Sequence, residues 1–267
     1  HAYSAILAHD LARAEGGEFL VRIEDIDRSR ARDEWETAIF QDLAWLGLTW
    51  TTPVARQSER METYTDALER LWAQGLVYPC FCTRRDIAEA LAAPQEGAGP
   101  VVGPDGPVYP GTCRDKTDRT GPMPRGDALR LDMTLALENP IEFREIGSGP
   151  RGETGAIEVS VETMIGDVGD IVLSRREMGT SYHLSVVLDD AAQGVCHVVR
   201  GQDLFAAAKI HVVLQRLLGL PTPVYHHHRL IRDEAGKRLA KRDDARAIRQ
   251  YREAGLSPEG VRRLVGL

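Results

Sequence analysis

The sequence predicts an α/β fold that is split by an insertion. Three observations lead to that expectation. Short, largely apolar runs of strand length, each ended by charged residues, alternate with longer segments of helical periodicity. A central stretch dense in Gly and Pro interrupts this alternation. Three of the four cysteines, Cys80, Cys82 and Cys113, cluster around that stretch.

Taken in order, Ala2 to Ala14 is rich in Ala and Leu and predicts a helix, which Gly16-Gly17 breaks. Phe19 to Ile23 predicts a buried strand running into Glu24-Asp25-Ile26-Asp27-Arg28. Acidic groups at the carboxyl end of a strand commonly face a ligand crevice in an open α/β sheet. The same groups also cap helices. Trp35, Ile39, Leu43 and Leu46 recur at helical spacing within Ser29 to Leu46. A further helix over Glu59 to Gln74 is expected to stop at Gly75 as a glycine cap. From Ala93 to Pro124 the density of Gly and Pro excludes a regular helix or central strand. Leu129 to Leu131, Ile141 to Ile146 and Ile171 to Leu173 predict strands of an inserted lobe. Leu184 to Leu188 predicts a buried strand ended by Asp189-Asp190, and Val195 to Val199 another, followed by Arg200. Leu204 to Leu218 predicts a helix with Gly219 beyond it, and the tail from Arg229 is basic and mostly helical.

The bulk properties exclude several classes. Among 267 residues, 43% are hydrophobic and 27% charged, so fibrous, collagen-like and wholly disordered chains are ruled out. No apolar run reaches the length of a membrane span, and no signal peptide is visible, so a cytoplasmic protein is expected. The chain starts at His1, not Met, so residues upstream are expected to be missing. The net charge of −7 argues against a general polyanion binder. Residues 229–267 nevertheless carry +5 on a body of −12, which suits local phosphate contact or, equally, a solvated helical face.

Four sets of residues bear on chemistry. Cys80-x-Cys82 followed by Tyr109-x-x-x-Cys113 supplies three thiols and a phenol, most of a tetrahedral zinc site that would pin a loop poor in apolar residues. Small buried side chains that merely lie close in sequence are the alternative. Gly236-Lys237-Arg238-Leu239-Ala240-Lys241-Arg242 is a Gly-led basic loop suited to triphosphate oxygens, or else a solvated turn. It is not a Walker loop. His226-His227-His228 suggests metal, but adjacent residues of an extended segment point to alternate faces, so three rarely meet one ion. Glu24, Tyr182 and Arg200 fall near the ends of predicted strands. A carboxylate for an ammonium, a guanidinium for a carboxylate and a hydroxyl would together fit an amino acid. Structural salt bridges use the same residues.

Arg22-Ile23-Glu24-Asp25-Ile26-Asp27, the Cys80–Cys113 set, Val199-Arg200-Gly201-Gln202-Asp203-Leu204 and the Lys241 loop occur in one order. With that order the chain resembles the class I glutamyl-tRNA synthetases over essentially its whole length. More specifically it is similar to their short paralogues, which attach glutamate to queuosine in the anticodon loop of tRNA(Asp). The resemblance implies a Rossmann-like catalytic domain. Its first part would be residues 1–77, lacking the N-terminal strand, and its second part 176–225. Residues 78–175 would be a zinc-binding insertion facing the acceptor nucleic acid. Residues 226–267 would hold a KMSKS-like loop and a short helical C-terminal segment.

The resemblance also implies residue roles. His1 looks like the last histidine of the HIGH region and Lys241 like the ATP-contacting lysine of the KMSKS loop, both catalytic, with Arg238 and Leu239 joining them at ATP. Around Lys241 the other positions depart from the consensus letters. Glu24, Tyr182 and Arg200 match glutamate-binding positions, and Cys80, Cys82, Tyr109 and Cys113 match the ligands of a structural Zn2+. ATP with Mg2+, L-glutamate and queuosine-containing tRNA(Asp) are the implied substrates, acting on a monomer. Only 26 residues follow Lys241 in this sequence, so no anticodon-binding domain is expected. The alternatives are a truncated glutamyl-tRNA synthetase charging the 3′ end of tRNA(Glu) and a non-catalytic zinc-dependent RNA-binding paralogue.

Overall fold

The computed structural model describes residues 1–92, 100–232, 236 and 247–267. Arg238, Leu239 and Lys241, expected at ATP, lie outside the described residues. In the first part of the chain α1 (Ala2–Ala14), β1 (Arg22–Ile23), α2 (Asp33–Trp45), β2 (Ala55–Arg56) and α3 (Met61–Ala73) follow one another. β1 and β2 pair in parallel. The strand expected over Phe19 to Ile23 is therefore confined to its last two residues. α3 ends as expected: Gly75 takes φ +71°, and its N–H and that of Leu76 return to the carbonyls of Trp72 and Leu71.

The middle of the chain holds β3 (Val77–Cys80), α4 (Arg84–Ala92), the hairpin β4 (Val102–Gly103) and β5 (Gly106–Pro107), and β6 (Ala128–Leu131). There follow α5 (Met133–Ala136), β7 (Ile141–Glu145), β8 (Gly155–Val159), α6 (Val161–Thr163) and β9 (Val172–Ser174). β3, β6 and β9 form an antiparallel sheet in that order. β7, expected as a strand of the inserted lobe, pairs elsewhere, and so does β8, whose residues fall within the expected insertion. They complete a four-stranded sheet, β10-β11-β7-β8, with two strands from the C-terminal part, β10 (His197–Gly201) and β11 (Val224–His228). β10, β11 and β7 run parallel, and β8 is antiparallel to β7. A hydrophobic pattern shows that a strand has a buried face, not which sheet covers it.

Between β9 and β10 lies α7 (Tyr182–Ala192), and between β10 and β11 lies α8 (Phe205–Leu218). α7 corrects the strand expected over Leu184 to Leu188. His183 to Asp190 are all buried, so no polar stripe marks the helical period. The available signal is Ser181, whose side chain accepts from the Leu184 N–H as an N-cap. α9 (Ile248–Glu253) and α10 (Pro258–Val265) close the described chain.

The main core packs α3, α7 and α8 against both larger sheets, with Tyr64, Leu71, Leu131, Leu184 and Val213 fully enclosed. Each such side chain contributes about 1.5–3 kcal/mol of burial. A second cluster, Ile6, Leu46, Leu48 and Val261, ties α1 and the end of α2 to α10. Of the spaced residues on α2 only Leu46 is buried; Trp35 and Ile39 are exposed, because only the C-terminal end of this helix reaches that cluster. Among the described residues, no helix is long and apolar enough to cross a membrane.

Candidate active site

A cavity of about 820 Å³ opens between α1, β10 and α7. His1, Glu24, Tyr182 and Arg200 all line it. Sequence distances of up to 199 residues are thus closed at one place. Tyr182 is the first residue of a helix, not the end of a strand, and the N-cap at Ser181 sets its direction. Arg200 is the fourth residue of β10, beside His227 in the parallel register with β11.

Arg200 is buried, and its donors are largely committed. Nε donates to His227 Nε2 at 3.3 Å, and Nη1 lies 3.2 Å from His211 Nδ1. The guanidinium also stands 5.1 Å over the Tyr225 ring. His227 is held in turn by Glu145, whose Oε2 is 2.5 Å from Nδ1 and whose Oε1 accepts the His227 N–H. Among the described residues Nη2 of Arg200 is buried without a hydrogen-bond partner, although the Tyr182 hydroxyl is close enough to interact with the guanidinium. A buried guanidinium N–H without an acceptor is costly, so this donor marks a place for a ligand oxygen. Burial raises the Tyr182 hydroxyl, with Glu24 adding to the shift and Arg200 opposing it, so the phenol stays protonated as a donor.

The opposite wall is acidic. Arg22 Nη1 pairs with Asp190 at 2.9 Å, and Nη2 with Glu24 at 3.3 Å. Glu24 has solvent access through the cavity mouth, yet the enclosing protein raises its carboxyl; Arg22 opposes this, and Asp190 and Asp189 add to it. Burial raises Asp190 likewise, against the pull of Arg22. Three carboxylates against two guanidiniums, Arg22 and Arg60, leave an excess of negative charge suited to a substrate ammonium. Asp189 lies deeper, accepting from Tyr64, Gln57 and Arg60, and anchors this wall.

The N-terminal end of the cavity is built by α1. Ser4 Oγ is 2.7 Å from His228 Nε2, Tyr3 packs on the His228 ring, and Arg229 stands over Tyr3. The three histidines of β11 thus turn to alternate faces, as an extended segment requires, and do not gather at one point among the described residues.

The cysteines meet at the end of β3. The Cys80, Cys82 and Cys113 sulfurs lie within 4.8 Å of one another, the only such group of possible metal ligands among the described residues. Cys82 and Cys113 are 3.5 Å apart, and Tyr109 Oη is 3.5 Å from Cys80 Sγ and 3.3 Å from Cys82 Sγ. Tetrahedral zinc with bonds of about 2.3 Å asks for sulfurs about 3.8 Å apart, so this donor set fits the ion. Burial raises the Cys113 thiol, but hydrogen bonds from Tyr109, the Phe81 backbone and the other thiols outweigh it and bring it to about 7. Arg130 lies against the cluster, its Nε 3.3 Å from Cys80 Sγ and its guanidinium 3.9 Å over the Tyr109 ring. With a metal ion bound, the negative charge left on thiolate ligands would be balanced by such a cation.

Sequence reasoning does not pick out Arg22, Asp190, Glu145, His183 or His211 as individual site residues. Arg22 and Asp190 stand beside the acidic strand ends, which is the available signal. The others are separated in sequence and meet only through the sheet and α7–α8 packing.

The comparisons agree with this architecture. The model of the catalytic domain of class I tRNA synthetases (E and Q) matches residues 1–267, and the chain belongs to that family. A Rhodobacter capsulatus protein named Glutamyl-Q tRNA(Asp) synthetase is 64% identical over 100% of this chain and 94% of its own length. One of the same name from Symbiobacterium thermophilum is 39% identical over 98% and 79%. Nitrosococcus oceani Glutamate--tRNA ligase 2 is 35% identical over 94% of this chain and 52% of its own. A solved glutamate tRNA ligase from Elizabethkingia meningosepticum, in complex with its amino acid, shares the fold at a TM-score of 0.74 and 24% identity, covering 98% of this chain and 56% of that one. By sequence the chain groups with the glutamyl-Q tRNA(Asp) synthetases.

Proposed function

We propose that this chain activates L-glutamate with ATP as glutamyl-adenylate and transfers it to queuosine in the anticodon loop of tRNA(Asp). The observation that carries the reading is that His1, Glu24, Tyr182 and Arg200 line one cavity, where Arg200 has a buried donor with no partner among the described residues. Glu24 and Asp190 take the ammonium. Arg200, with the Tyr182 hydroxyl, takes the side-chain carboxylate. The α-carboxylate is then left facing the N-terminal end of the cavity. There it attacks the α-phosphorus of ATP, and pyrophosphate leaves. Fixing both ends of the amino acid makes this attack nearly unimolecular. His1 and Lys241 stabilise the charge that develops on the phosphate oxygens; losing one such contact costs about 3–4 kcal/mol. Arg238 and Leu239 complete the ATP site with them. Mg2+ accompanies ATP and offsets its charge.

In the second step a hydroxyl of the queuosine ring attacks the activated carbonyl carbon, an ester forms and AMP leaves. Cys80, Cys82, Tyr109 and Cys113 hold a structural zinc ion. Such a site leaves no open position for water, so its role is to pin the Gly/Pro-rich segment that faces the nucleic acid. This assigns residues 78–175 as the acceptor-facing insertion, although strands within that range join the sheet of β10 and β11. The four cysteines of the chain are all free, as suits a reducing cytoplasm.

The test is transfer of labelled glutamate, with ATP and Mg2+, to queuosine-containing tRNA(Asp), queuosine-free tRNA(Asp) and tRNA(Glu). Label on the first alone supports the proposal. Label on tRNA(Glu) makes the chain a tRNA-charging enzyme. No label and no pyrophosphate exchange leaves a non-catalytic binder.

A further inference from the structure

Four side chains run in one hydrogen-bonded line from the cavity to the hairpin β4–β5. Arg200 Nη1 meets His211 Nδ1 at 3.2 Å. His211 Nε2 lies 3.0 Å from His183 Nδ1, and His183 Nε2 lies 2.9 and 3.0 Å from the two oxygens of Asp105. A guanidinium only donates, so His211 Nδ1 carries a lone pair and its proton sits on Nε2. That proton points at His183 Nδ1, which must therefore accept. The His183 proton is then on Nε2, where the Asp105 carboxylate receives it. The direction of every hydrogen bond follows from the arginine outward.

The surroundings support this order. Burial, with Arg200 next, drives His211 well below its ordinary pKa, so the ring is neutral as the line demands. Tyr182, itself lining the cavity, packs edge-on against both imidazoles at 5.5 and 5.7 Å. Asp105 is held in place by its hairpin. Gly103 lies so close to the turn before β9 that an added Cβ would stand 2.5 Å from the Asp167 carbonyl oxygen. The second acceptor of Arg200, His227, is fixed the same way by Glu145. Two arms, each ending in a carboxylate, thus fix two donors of the guanidinium and leave Nη2 over.

We propose that Asp105, His183 and His211 are positioning residues that fix the Arg200 guanidinium for substrate, so that a hairpin of the Gly/Pro-rich segment sets how well the cavity holds its amino acid. The proposal rests on reading Arg200 as the receptor of glutamate. Asp105 is half-exposed and does not line the cavity, yet the line makes it matter for glutamate specifically.

The test is pyrophosphate exchange on the full chain, with KM measured separately for glutamate and ATP. Asp105→Ala is expected to raise KM for glutamate about tenfold and to leave KM for ATP unchanged, since small misplacements of a positioning group cost this much or more. Asp105→Asn keeps an acceptor oxygen for His183 and is expected to restore most of the loss. In a His211→Asn background, where the line to His183 is cut but Arg200 keeps an acceptor, Asp105→Ala should add nothing. Arg200→Ala serves as the reference. If it raises KM for glutamate and Asp105→Ala does not, the relay is wrong and the site reading stands. A rise in both KM values together for Asp105→Ala also overturns the relay, as general damage. If Arg200→Ala leaves KM for glutamate unchanged, the site reading fails and the relay with it.

Discussion

Arg22 and Asp190 form an ion pair at 2.9 Å in the wall of the cavity, and Arg22 also reaches Glu24 and Asp189. One guanidinium therefore holds together three carboxylates from β1–α2 and α7. Arg22→Met removes the cation and keeps the stem. We expect it to lower stability by about 3–5 kcal/mol, the usual cost of leaving buried charge unpaired. Urea unfolding checks this; a loss under about 1 kcal/mol would show that the carboxylates take up protons without consequence.

Asp189 is the second anchor. Its carboxylate is 1% exposed and accepts from Tyr64, Gln57 and Arg60. Asp189→Asn is isosteric but brings an amide donor against three donors. The expected loss is about 3 kcal/mol, with a raised KM for glutamate because Asp190 and Arg22 shift with α7. Unchanged denaturation midpoint and unchanged KM would together refute it.

Metal analysis should find one zinc per chain. Cys113→Ser or Cys80→Ser is expected to lose it, and chelation of the intact protein should do the same. The readout is proteolysis within residues 100–124, where Tyr109 and Cys113 tie the segment to β3. A metal-free protein with the same protease resistance would mean that the cluster stands without an ion.

Stability should fall as pH drops from about 7 toward 5. Burial first of all holds His211, His226, His227 and His228 below the ordinary 6.5. The unfolded chain takes up these protons near pH 6.5 and the folded chain only lower, so the unfolded state is favoured across that window. A tenfold difference in proton affinity between the folded and unfolded chain is worth about 1.4 kcal/mol. Glu24, Asp42 and Asp190 act in the opposite sense, since their folded carboxyls are raised, but they are three against four. Calorimetry between pH 7.5 and 5.5 decides it; a melting temperature that rises toward acid would refute the prediction.

The strand-end acids, the cysteine cluster and Arg200 are readable in the sequence because each sits in a short local pattern. α7 reads as a strand because a helix buried on all sides shows an apolar run and not a period. The membership of β7 and β8 is hidden because a pairing partner lies 80 residues away, as Tyr225 does from Glu145. His183 and His211 are unreadable for the same reason: each sits in a largely apolar helix, and only the packing of α7 on α8 makes them a pair.

The three histidines of β11 divide the interior like a party wall. Tyr225 and His227 face the amino-acid compartment through Arg200, while His228 faces Ser4 and Tyr3 of the N-terminal helix. A pleated strand converts a single step along the chain into a change of room. Substitutions scanned along residues 225–228 should therefore sound in two alternating registers, the odd positions in affinity for the amino acid and position 228 in whatever the N-terminal helix binds.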